Sequence, residues 1–98
     1  MIEEVVLSPP AKEKLEQLLQ YLSDEFSERI MLAFLSRLEK SVSTVQKYPE
    51  SCPASLKVKS VRKCTVTKQT VFYYRVRNNR IEILTLFDTR QHPGKSKY

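Results

Sequence analysis

Ninety-eight residues with one glycine, two cysteines and a formal net charge of +6 make one small domain over 1–98, with room for a single modest core. Hydrophobic residues at 41% and charged residues at 29% fit a globular chain rather than a disordered one. Cys52 and Cys64 are too few for a disulfide scaffold and have no partners at zinc-site spacing. No apolar run reaches the roughly 18 residues of a membrane span, and the acidic start Met1-Ile2-Glu3-Glu4 is unlike an export signal. The expectation is a cytoplasmic protein with no membrane partner, no metal and no cofactor.

Charge divides along the chain. Residues 1–58 hold 7 Lys/Arg against 9 Asp/Glu, whereas residues 59–98 hold 10 against 2, a local balance of +8. A basic third of that density favours a polyanion or an acidic protein segment.

Residues 4–7 read as a short strand closed by Ser8-Pro9-Pro10. Ser8 can cap a helix there, and Pro9 suits its first position. Ala11, Leu15, Leu18, Leu19 and Leu22 recur at helical spacing. Ser23-Asp24-Glu25 reads as a tight connection and a second helix start. The next stripe, Phe26, Ile30, Phe34, Leu38, Val42 and Val45, widened by Met31 and Leu35, predicts a helix to about Tyr48, where Pro49 stops it. So short a connection predicts an antiparallel helix hairpin, with these apolar residues as core.

Pro49 to Leu56 is a loop, and beyond it the period changes from 3.6 to 2. Residues 59–66, 70–77 and 80–87 are rich in β-branched and aromatic side chains and predict three strands. Thr67-Lys68-Gln69 and Asn78-Asn79 separate them at hairpin spacing. The last strand, apolar on both faces from Leu84 to Phe87, should be central. The fold class is therefore α+β: an N-terminal strand, an antiparallel helix hairpin, then a three-stranded antiparallel meander. In 70–77, alternation places Phe72, Tyr74 and Val76 under the helices and Val71, Tyr73, Arg75 and Arg77 on an uncovered face. Aromatic rings beside arginines suit nucleobases and phosphates, and equally suit plain cross-strand packing.

Catalytic sets are scarce. His92 is the only histidine, Cys64 sits within a strand as a packed thiol, Gly94 is alone, and Asp88 followed by Arg90 reads as a turn-forming ion pair.

The series Val61-Arg62-Lys63, Thr70-Val71-Phe72-Tyr73-Tyr74-Arg75-Val76, Ile81-Glu82-Ile83-Leu84 and Phe87-Asp88-Thr89-Arg90-Gln91-His92-Pro93, with Leu7-Ser8-Pro9-Pro10-Ala11 and Tyr48-Pro49 ahead of it, resembles the RelE/ParE superfamily of bacterial toxins. The resemblance covers almost the whole chain and implies the toxin of a type II toxin–antitoxin system, of the plasmid stabilisation kind. Its partner would be a cognate antitoxin wrapping an extended, often acidic segment around it, with apolar anchors in grooves beside the helices and sheet. Two mechanisms occur in that superfamily. RelE-like members cleave mRNA on the ribosome without metal, through attack of the 2′-hydroxyl on the adjacent phosphate, with cations neutralising the developing charge. ParE-like members bind and poison DNA gyrase.

The ribonuclease pattern transfers unevenly. Arg62 falls at one strand lysine and Arg90 at the arginine after the last strand, so both cations are kept. Cys64 falls at the second lysine and Val71 at the arginine that contacts the scissile phosphate. His92 or Tyr98 could supply the acid or base. Each missing donor removes about 3 kcal/mol of transition-state stabilisation, which favours the gyrase inhibitor over the mRNA endoribonuclease. Catalytic candidates, for a ribonuclease only, are thus Arg62, Arg90, His92 and Tyr98. Candidates for target or antitoxin binding are Lys63, Lys68, Tyr73, Arg75 and Arg77. A non-toxic nucleic-acid-binding domain is the third reading.

Overall fold

The computed structural model describes residues 1–91 and 98. Chain order is β1 (Val5–Leu7), α1 (Pro9–Glu25), α2 (Glu28–Lys47), β2 (Arg62–Thr65), β3 (Thr70–Arg77) and β4 (Arg80–Asp88). The strands form one sheet in the order β1-β4-β3-β2. β1 runs parallel to β4, and the other neighbours are antiparallel. β4 is central, as its two apolar faces require. The β3–β4 turn has Asn78 at φ 53° and Asn79 at φ 57°, the left-handed pair that asparagine tolerates in a two-residue hairpin.

Ser8 ties three elements together. Its hydroxyl accepts from the Ala11 amide (3.2 Å) as the α1 cap and donates to the Leu84 carbonyl (2.7 Å). That carbonyl belongs to a bulge: Tyr73 faces Thr85 and Tyr74 faces Ile83, which leaves Leu84 as the extra residue. The bulge also resets the phase of β4, so Ile81 and Ile83 face the core on one side of it and Leu86 and Asp88 on the other. Ser8→Ala is expected to cost about 2 kcal/mol, the cap together with a partly buried acceptor, read as a lower urea midpoint at unchanged slope.

Three expectations change. α1 does not end at Ser23. It continues to Glu25, and Gln20 bonds Asp24 one turn on (2.8 Å). The second start is Ser27, whose hydroxyl accepts from the Ile30 amide (3.1 Å), with Glu28 in the first turn. Phe26 therefore leaves the α2 stripe and lies exposed at the helix junction, as does Ile30 on the first turn of α2. In the third change, 59–66 shortens to β2. Val58–Val61 closes a turn (Val61 amide to Val58 carbonyl, 3.1 Å), helped by the Ser55 hydroxyl, which accepts from the amides of Lys57 and Val58.

The core is Ala11, Leu18 and Leu22 from α1, Phe34, Leu38 and Val45 from α2, and Phe72, Tyr74, Ile81, Ile83 and Leu86 from the sheet, joined by Ile2, Cys64 and Val66. Val76 was expected under the helices. It is 46% exposed and lines an open cleft with Ile2 and Tyr48 at the end of the sheet.

Candidate functional surface

Cross-strand register sorts the basic third by face, because residues directly opposite in an antiparallel pair point the same way. Lys63 opposes Tyr73, Arg75 opposes Glu82, and Arg77 opposes Arg80, so these six share the face away from the helices. Tyr73 was expected to be open there, yet it is 3% exposed. The ring of Tyr98 stacks on it at 5.4 Å between centroids. The Tyr98 carbonyl accepts a hydrogen bond from the Ser55 hydroxyl. Arg75 bonds Glu82 (2.7 Å), and this bond, with the nearby Arg77 and Arg80 charges, holds the Glu82 carboxyl below the usual carboxylate range. Lys63 and Arg77 are exposed, and Lys68 is exposed farther off in the β2–β3 turn. This face joins exposed cations to a two-ring aromatic stack.

Arg62 points the other way. It opposes Tyr74, and its Nη1 donates to the carbonyls of Cys52 (2.7 Å) and Glu50 (3.4 Å). Tyr74 donates its hydroxyl to the Pro49 carbonyl (2.7 Å), so Arg62 and Tyr74 hold the loop after α2 against the sheet. Burial raises the Tyr74 hydroxyl pKa, and so do the neighbouring Cys52 and Cys64 thiols.

Arg90 is built into a third place, beside the α1–α2 junction. Its Nη2 lies 2.7 Å from Asp88 Oδ2 and its Nε 3.1 Å from Oδ1, while its backbone amide also donates to Oδ1 (2.9 Å). Thr70 completes the carboxylate from β3 (2.5 Å). Burial alone would raise the Asp88 pKa, but hydrogen bonds from Arg90 and Thr70 outweigh it and hold the carboxyl low. The same bond raises Arg90, whose guanidinium sits 5.8 Å above the Phe26 ring. The expected Asp88–Arg90 ion pair is thus present. Arg62, Arg90 and Tyr98 stand at separate places, and His92 lies outside the described residues.

The second surface is mainly apolar, with Glu39, Ser43 and Gln46 also lining it. Val5 and Leu7 of β1, Leu15 of α1, Leu35, Leu38 and Val42 of α2, and Ile83 and Leu86 of β4 line an open groove of about 400 Å³. Leu15, Leu35 and Val42, expected as core, are only half-buried because they form its walls.

The family model for the ParE toxin of the type II toxin–antitoxin system parDE matches residues 5–93. The chain belongs to the ParE toxin family. This ParE-family chain is also similar in fold to solved toxin structures. For the chromosomal ParDE system of P. aeruginosa the TM-score is 0.74 at 16% identity, covering 89% of this chain and 96% of that one. For a YoeB/ParE toxin from Agrobacterium tumefaciens it is 0.64 at 13% identity, covering 88% and 98%. For the E. coli DinJ-YafQ complex it is 0.64 at 8% identity, covering 96% and 100%. Comparison with curated protein sequences finds no match. The α+β architecture expected from the sequence is that of these ParE and RelE-type toxins, and the protein is a toxin of a type II toxin–antitoxin system. Among the described residues, no helix is long and apolar enough to cross a membrane.

Proposed function

We propose that this toxin arrests growth as a ParE-like, non-catalytic inhibitor of DNA gyrase and is neutralised by a cognate antitoxin. The observation that carries the reading is the fate of the cations that metal-free RNA cleavage would use. Arg62 is spent on the carbonyls of Glu50 and Cys52, and Arg90 on Asp88 at another place. The positions that resemblance assigns to two further cations hold Cys64 and Val71. A transferring phosphate needs converging donors, and this set does not converge. The family model that matches is itself one of ParE toxins. Relatives in fold were solved as toxin–antitoxin complexes, DinJ-YafQ among them, which supports an antitoxin partner here. The apolar groove suits the anchors of such a partner, and the basic third suits an acidic segment.

On this reading the target docks on the face of Lys63, Arg75 and Arg77, where Tyr98 covers Tyr73, with Lys68 at its margin. Ribosome-dependent mRNA cleavage is the second reading, favoured by the Tyr73–Tyr98 stack beside Lys63, an arrangement on which a base could pack. The test is induction of wild type and of Lys63→Glu/Arg77→Glu in a bacterium, with DNA and protein synthesis pulse-labelled separately. DNA synthesis stopping first in wild type, with the double variant at least tenfold less toxic at equal soluble level, is the expected result. Protein synthesis stopping first, with transcripts cut within codons, would overturn the gyrase reading.

A further inference from the structure

Two cysteines that look unrelated in sequence meet in the fold. The segment before β2 doubles back on it: Ala54 pairs with Arg62 in an antiparallel bridge, the Lys63 amide donates to the Pro53 carbonyl (2.9 Å), and the Ser55 amide donates to the Val61 carbonyl (2.7 Å). These bonds fix the register, and two residues beyond Ala54 and Arg62 it sets Cys52 opposite Cys64. The bonded positions are 53 with 63 and 55 with 61. Cys52 and Cys64 therefore fall at a non-hydrogen-bonded pair, where Cα atoms approach to about 4.5 Å and side chains are closest. That spacing lies within the range a disulfide spans, roughly 4.4–6.8 Å. Both thiols are free, and Cys52 lies close enough to act on the ionisation of Cys64. Cys64 is buried in the core and Cys52 half-buried at its edge.

We infer that Cys52 and Cys64 are a redox modification site, closing reversibly into a cross-strand disulfide when the protein meets a low-molecular-weight disulfide such as oxidised glutathione. Cys52, the more accessible thiol, reacts first. Its thiolate displaces one glutathione thiolate and leaves a mixed disulfide on Cys52. Cys64 then loses its proton to solvent and attacks the Cys52 sulfur, expelling the second glutathione thiolate. Both glutathione thiolates take up protons, so two protein thiols are oxidised and one glutathione disulfide is reduced to two thiols. Burial, with the Cys52 thiol beside it, pushes the Cys64 thiol up to about 12, which makes the second attack the slower one. Closure staples the loop after α2 to β2 and fixes the Cys52 carbonyl that holds Arg62.

The experiment incubates the purified full chain with oxidised glutathione and follows intact mass, then trypsin peptides with and without reductant. Lys57, Lys59, Arg62 and Lys63 lie between the cysteines, so the cross-link joins two separate peptides. Wild type is expected to lose two hydrogens and yield that joined pair, reversibly by dithiothreitol, with Tm raised by several degrees. Cys64→Ser should stop one glutathione heavier, and Cys52→Ser should react far more slowly. A wild-type protein that stays unmodified, that halts at the mixed disulfide, or that forms only cross-links between chains would overturn the inference.

Discussion

Asp88→Ala is expected to lower the unfolding free energy by about 3 kcal/mol, the range for breaking a buried, hydrogen-bonded charge pair from one side. Asp88 is 3% exposed and accepts from the Arg90 guanidinium, the Arg90 amide and Thr70. Its loss leaves Arg90 and the Thr70 hydroxyl without their acceptor at the seam between β3, β4 and α1. Thr70→Val removes one neutral donor and should cost about 1 kcal/mol. The pH dependence has a definite sign. The Asp88 pKa is depressed in the folded state, so its stabilisation is present above the unfolded carboxyl value of about 3.9 and is lost as pH falls through the folded value. The wild type should lose stability on acidification below about pH 4, and the alanine variant should lose less over that window. Urea titrations at neutral and acid pH measure both, and a difference under 0.5 kcal/mol at neutral pH would refute the role given to this cluster.

Val42→Glu is expected to weaken binding of the cognate antitoxin by roughly 100-fold or more while changing folding stability by under about 1 kcal/mol. Val42 is half-buried on the wall of the apolar groove, so the new carboxylate can reach water in the free toxin. In the complex it would replace an apolar contact with a charge, and anchor residues in such pockets are typically worth 2 kcal/mol or more. Isothermal calorimetry on the refolded pair, alongside urea unfolding of the toxin alone, separates the two effects. Equal loss of both would mean that Val42 is simply core.

The elements with strong local signals were legible in the sequence. Thr70–Arg77 has the expected bounds, since β-branched and aromatic alternation between two turn signals leaves little choice. Ser8 and Pro9 marked the α1 start through a capping hydroxyl and a proline suited to the first helical turn. The Ser23–Ser27 region was not, because Ser23, Asp24 and Ser27 are all competent caps, and only packing of Leu22 and of the Phe26 ring against Tyr21 selects the last. The Leu84 bulge carries no glycine or other local mark, so its phase shift was hidden, and with it the inward placing of Asp88. The basic face was foreseen from alternation. That Arg62 points away from it, and that Tyr73 is covered by Tyr98, depends on contacts remote in sequence. The Cys52–Cys64 encounter depends on a chain reversal at Val58–Val61 that reads as strand from composition alone.

On the proposed function, growth arrest comes from gyrase rather than from RNA cleavage. The most direct test of that function adds the purified toxin to a supercoiling reaction with DNA gyrase and, in parallel, to ribosomes programmed with a defined mRNA. Inhibited supercoiling with intact mRNA, relieved by the antitoxin, is the expected result. Unchanged supercoiling together with cleavage of the message in the decoding site would contradict it.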